Sequence, residues 1–147
     1  MYVNKLEIFY EDIQPLKLSK LHLKKFIKFL INSELRAFGE ISIIVCSDSY
    51  LFEMNKQYLN HDYYTDIITF DYVENNIVSG DLFISIDRIA ENAVMLETEQ
   101  ITELVRVIFH GVLHLVGYGD KTEEEKRLMR ERENLYLSEV DFKGLEI

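Results

Sequence analysis

Phe109-His110-Gly111-Val112-Leu113-His114-Leu115-Val116-Gly117-Tyr118-Gly119-Asp120 is the stretch on which the reading of this chain turns. Residues four apart on a helix stand one above the other, so the rings of His110 and His114 can converge on a single metal ion. The preceding sequence supports the helix, because Ile101, Leu104, Val105, Ile108, Val112, Leu115 and Val116 recur at three- and four-residue steps. A step of about 100° per residue puts both histidines roughly opposite that stripe, with Glu103 on their side and Val107 and Leu113 flanking them. The helix is therefore expected to be buried nearly all round, its histidines lining an internal cleft. Gly111 is costly in a helix interior, by about 1 kcal/mol relative to alanine, and implies close backbone approach by a neighbouring element or by substrate.

Beyond Val116, Gly117-Tyr118-Gly119 supplies a helix stop, since glycine takes the left-handed conformation that ends helices. The chain can then fold back and carry Asp120 toward the imidazoles. Thr122 and Glu125 have the spacing of a capping box, which opens the next helix and places Asp120 in a short, fixed connection. Two histidines and one aspartate leave coordination positions open for water or substrate, the pattern of a catalytic metal rather than a structural one. A zinc peptidase would carry a glutamate beside the first histidine, where this chain has Gly111. Oxygen-activating iron enzymes share the two-histidine, one-carboxylate set but draw it from barrel strands, against the helical spacing here.

The run His110 to Tyr118 strongly resembles the signature of the YbeY endoribonucleases, the ribosomal RNA maturation factors of bacteria. The resemblance extends to Met54-Asn55-Lys56-Gln57-Tyr58, to Asp62, to Thr65-Asp66-Ile67-Ile68-Thr69-Phe70, to Ser79 through Ser85, and to Glu103-Leu104. It implies a metal-dependent endoribonuclease specific for single strands. Such an enzyme would process the 3′ end of small-subunit ribosomal RNA and take part in ribosome quality control. One zinc ion is expected per chain, held by His110, His114 and Asp120, with precursor RNA and the ribosome as partners. Two positions depart from the family pattern: Asp120 stands where a third histidine is usual, and Leu59 where an arginine is. A carboxylate in place of imidazole lowers the charge of the site by one and favours harder metals. Loss of the arginine removes a paired phosphate contact, for which Lys56, His61 or Arg106 are candidate substitutes. These departures keep open a second reading, a ribosome-associated RNA-binding factor with vestigial nuclease activity. A metal-dependent hydrolase of a small substrate is a third.

Composition is compatible with these readings. With 147 residues, 48% hydrophobic content and one proline, one domain over residues 1–147 is expected. The single Cys46 lies in the apolar run Ile41 to Cys46 and reads as a buried structural thiol, which fits a reducing cytoplasm. No apolar run has the length of a membrane span, and the start of the chain lacks a signal core. The net charge of −10 opposes non-specific RNA binding. Local clustering could offset it, since Lys17, Lys20, Lys24, Lys25 and Lys28 fall in one segment. That run also reads more simply as the solvated face of an amphipathic helix.

The expected fold is α+β, about four strands of a small mixed sheet packed with about five helices, with the metal site on a central helix. Strands are read at Tyr2 to Tyr10, Ile41 to Cys46, 66–73 and 80–86. Helices are read at Ser19 to Phe38 (with Leu21, Leu23, Phe26, Ile27 and Leu30 as apolar members), from Ser47 or Asp48 to Tyr58, and at 87–96, 98–116 and 122–138. Histidines 110 and 114 are the expected catalytic residues. His61 is a candidate proton donor or phosphate contact, and Tyr58, Tyr63 and Tyr64 can stack on unpaired bases or serve in packing.

Overall fold

The structure, a computed structural model, describes residues 3–61 and 63–146. Tyr2, the expected start of the first strand, and Asp62, a residue of the family pattern, lie outside them. The elements run β1 (Lys5–Glu11), α1 (Lys20–Ser33), β2 (Ala37–Cys46), α2 (Asp48–Leu59), β3 (Ile67–Asp71), β4 (Ile77–Ser85), α3 (Ile86–Met95), α4 (Gln100–Val116), α5 (Glu123–Leu137) and α6 (Phe142–Leu145). The four strands form one mixed sheet in the order β1-β2-β4-β3, with β1 and β4 parallel to β2 and β3 antiparallel to β4. This is the α+β architecture anticipated, with the short α6 as an additional helix.

Alternating side chains divide the sheet into two faces. Leu6, Ile43, Val45, Leu82 and Ile84 face the main core, beneath α1, α4 and α5, while Cys46 and Ile68 join Leu51 in a smaller cluster under α2. Cys46 is fully buried, and burial pushes its thiol up to about 12, so it is an inert packing group as expected. Helix α4 packs on α1, α3, α5, β3 and β4 and buries most of its residues, its apolar stripe against the sheet. A Cβ on Gly111 would stand 2.8 Å from Ile67 Cδ1 and 2.9 Å from Leu82 Cδ2. The neighbouring element that this glycine admits is thus the sheet itself, and the helix lies close enough to aim its opposite face outward.

Several boundaries differ from those expected: β4 begins at Ile77 rather than 80, β3 ends at Asp71 rather than 73, and the largest change lies between α1 and β2. Helix α1 ends at Ser33 rather than Phe38, and Ala37 and Phe38 begin β2. The break falls at Leu35, which takes a left-handed φ of 61°, a turn that no glycine or proline marks in the sequence. Leu21, expected on the apolar face of α1, is 76% exposed, whereas Leu23, Phe26, Ile27 and Leu30 are buried. No described helix is long and apolar enough to cross a membrane.

Candidate metal centre

Helix α4 carries His110 and His114 on the face turned from the sheet. Its end is built as the glycines suggest: Gly117 adopts φ +127° and donates its N–H to the carbonyls of Leu113 and His114, and Tyr118 N–H also reaches Leu113. Thr122 and Glu125 form the capping box that starts α5. Between stop and cap, Asp120 swings back over the histidines. Tyr118 anchors the turn to the end of α1 through its hydroxyl, which donates to Glu34 Oε1 at 2.6 Å.

Three atoms meet at this point. His110 Nε2 and His114 Nε2 are 3.1 Å apart, and each is 3.2 Å from Asp120 Oδ2. The outer nitrogens settle which atoms these are chemically. His110 Nδ1 is 2.7 Å from Glu133 Oε2 and His114 Nδ1 is 2.8 Å from the Tyr118 carbonyl, both of them acceptors. Each Nδ1 must therefore carry a proton and donate, which in the neutral ring leaves a lone pair on Nε2. Three acceptors facing one another at such distances are mutually repulsive unless a positive charge lies among them. Tetrahedral zinc bonds of 2.0–2.1 Å imply neighbouring donor atoms about 3.3 Å apart, so the triangle matches one face of such a site. His110, His114 and Asp120 fit a divalent ion in chemistry and spacing, and Asp120, with 41% of its side chain exposed, leaves one side open to solvent.

Glu133 was not identifiable from sequence. It is buried on α5, 23 residues after His110, and its other oxygen accepts from Arg106 at 3.0 Å, with Arg130 at 3.6 Å. Burial disfavours its charge, but the His110 and Arg106 hydrogen bonds prevail and hold its carboxyl below the ordinary range. At His110 burial likewise disfavours the charged ring, and the Glu133 hydrogen bond and charge, aided by Asp120 and Asp66, overcome it and raise its pKa. Burial also raises the carboxyls of Asp66 and Glu103.

The triad sits where two cavities meet. One, of about 500 Å³, runs between the ends of α3 and α5 and is lined by His110 and Asp120 together with Glu103, Arg106 and Asp66. The other, of about 470 Å³, follows the open edge strand β3 past Thr65, Asp66, Thr69 and Asp71 to both histidines. Asp66 lines both, its Oδ2 3.4 Å from Asn92 Nδ2. Among the expected site residues the structure thus brings together His110, His114 and Asp120. His61 lies elsewhere, exposed after α2, where its ring stacks on Tyr63 at 5.1 Å, and it lines neither cavity. Leu59 and Lys56 line neither as well. Of the candidate replacements for the family arginine only Arg106 reaches the site, where Glu133 holds it. Lys126 and Arg130 also line the first cavity, and the lysines of α1 line neither. Glu123 and Glu124, at the exposed start of α5, pair with Lys126 and Arg127 and take no part in the triad.

Comparison with known proteins identifies the family. The endoribonuclease YbeY family model matches residues 8–141. The endoribonuclease YbeY of Parabacteroides distasonis is 48% identical over 128 residues, covering 87% of this chain and 90% of that protein. That of Phocaeicola vulgatus is 54% identical over 100 residues, or 68% and 72% of the two chains. The solution structure of TM1509 from Thermotoga maritima superposes with a TM-score of 0.64 at 25% identity, over 90% of this chain and 88% of that one. A match that runs from β1 to the end of α5, through every element that positions the triad, places this chain in the YbeY endoribonuclease family.

Proposed function

We propose that this chain is a single-strand-specific, metal-dependent endoribonuclease that matures the 3′ end of small-subunit ribosomal RNA in the cytoplasm, with zinc held by His110, His114 and Asp120. The observation that carries this reading is the convergence of three acceptor atoms, each imidazole fixed by its outer hydrogen bond in the tautomer that a metal requires. A bound divalent ion would supply Lewis acidity toward a phosphodiester oxygen and make water more acidic.

The chain's own residues supply the rest. Cavities on both sides of the triad suit a polymer that passes through rather than a small molecule that enters and stops. Arg106, Lys126 and Arg130 place three cations in the first cavity beside the carboxylates of Asp66, Glu103, Asp120 and Glu133, and these cations are the contacts it offers to phosphate. Asp66, whose carboxyl is raised above its ordinary range by burial, lies where it can exchange a proton with groups in either cavity. Glu133 and the Tyr118 carbonyl orient the two rings, and Asn92 restrains Asp66.

Metal content and cleavage of a labelled single-stranded precursor fragment, measured on wild type and on Asp120→Ala, test the reading. About one metal per chain with cleavage in the wild type, and loss of both in the variant, is the expected result. A wild type that holds metal and leaves the RNA intact would overturn it in favour of an RNA-binding role.

A further inference from the structure

Glu103 is buried without a partner. It lies seven residues before His110, two turns back on the same face of α4, is only 4% exposed, and its Oε1 has no hydrogen bond among the described residues. A buried acceptor left unpaired costs about 1–3 kcal/mol, and more when charged. Arg106, one turn further along, is the natural partner, but its guanidinium turns to Glu133 instead. The fold therefore leaves a buried acceptor unpaired on a residue that lines the 500 Å³ cavity, which also reaches His110 and Asp120.

The remainder of that lining shows what the acceptor faces. Met95 and Leu96, at the end of α3, stand 72% and 55% exposed at the cavity, and Met129 of α5 lines it from within the core. Lys126 and Arg130 add cations beside the carboxylates of Asp66, Asp120 and Glu133. Apolar surface for a flat ring, one buried acceptor for its edge and cations for a phosphate together match the polarity of a single nucleotide, and the volume lies within the range of small-ligand sites.

The acceptor also discriminates among bases. As a carboxylate Glu103 offers acceptors only, so it matches a base edge that carries an amino group. Guanine, adenine and cytosine each present one, whereas uracil offers carbonyl oxygens flanking its single ring N–H. We infer that Glu103 reads the base of a nucleotide next to the scissile phosphate, accepting bases with an exocyclic amino group and disfavouring uracil. This rests on the endoribonuclease reading for its substrate but not for its test.

Calorimetric titration of the metal-loaded protein with AMP, CMP, GMP and UMP decides the matter. UMP is expected to bind at least about fivefold more weakly than the other three, the lower end of what one base-edge pair contributes. In Glu103→Gln the amide can rotate to present a donor or an acceptor, so the gap is expected to close. Equal affinity for all four nucleotides in the wild type, or a gap that persists in a folded Glu103→Gln protein, overturns the assignment. If Glu103→Gln does not fold, the four wild-type affinities decide alone. Cleavage of a mixed-sequence RNA by the same preparation separates the two readings. Cutting with uracil represented equally at every flanking position removes the base-reading role and leaves the nuclease intact. Nucleotide discrimination without any cutting keeps the pocket and removes the nuclease.

Discussion

Replacing Glu133 by glutamine removes a charge that touches no ligand of the proposed metal except through His110. In the wild type, Oε2 accepts from His110 Nδ1 at 2.7 Å while Oε1 accepts from Arg106 at 3.0 Å, both in a largely buried setting. Glutamine keeps the size and one acceptor, so the ring can stay in place, but a charge-assisted bond becomes a neutral one of roughly half the strength. Loss of such a partner to a metal-binding imidazole typically weakens metal binding about 10- to 100-fold, or about 1.4–2.7 kcal/mol. The pH dependence adds a second signature. Glu133 is the main cause of the raised pKa at His110, so in the wild type protons compete for Nε2 from a higher pH downward. Without it, burial is opposed only by the charges of Asp120 and Asp66, and competition begins at a lower pH. The affinity difference between the two proteins should thus be full near pH 8 and narrow on acidification. Competition with a chromophoric zinc chelator between pH 5.5 and 8 measures both quantities, with melting curves to show that the variant is folded. A difference below about threefold at pH 8, or one that widens in acid, would refute the role given to Glu133.

Three further outcomes are expected. The metal-free protein should melt at a higher temperature at pH 6 than at pH 8. The folded His110 pKa lies above its ordinary 6.5, so its contribution is complete below that value and is lost as pH rises through the folded one, and the raised carboxyls of Asp66 and Glu103 act in the same direction; a higher melting temperature at pH 8 would contradict this. Gly111→Ala should destabilise, since overpacking against Ile67 and Leu82 costs about 1–3 kcal/mol against about 1 kcal/mol of helix propensity recovered; a melting temperature lower by about 3 °C per net kcal/mol is the readout. Tyr118→Phe should lower stability by about 1–2 kcal/mol through the lost bond to Glu34. Its metal content should stay unchanged, because the carbonyl that holds His114 belongs to the backbone.

The local parts of the site were legible because each is written within a few residues. The histidine spacing, the glycine stop, the capping box and the return of Asp120 all lie between positions 110 and 125, and the structure assembles them as the spacing implies. Glu133 was not legible because it sits among Lys126, Arg127, Arg130, Glu131 and Arg132 on α5, and only the packing of α5 on α4 selects it from them. Glu103 was placed on the histidine side by its helical phase, but nothing in a sequence distinguishes a carboxylate that finds a partner from one that does not. The end of α1 was missed for a related reason. Leucine at position 35 bears a positive φ that the tertiary structure imposes, with Arg36 N–H bonded to the Ile31 carbonyl and Ala37 N–H to that of Asn76.

The turn from Gly117 to Thr122 ends one helix, fixes the tautomer of His114 through a backbone carbonyl and delivers Asp120, all before the next cap begins. Its length is thereby a harder constraint than its side chains, and a one-residue insertion or deletion would misplace the cap, the carbonyl and the carboxylate together. The identity of the third ligand is, by contrast, free to drift. Aspartate and histidine codons differ by a single base, so Asp120→His is one nucleotide away, and the metal preference of the site can evolve by point mutation on a scaffold that an insertion or deletion would destroy.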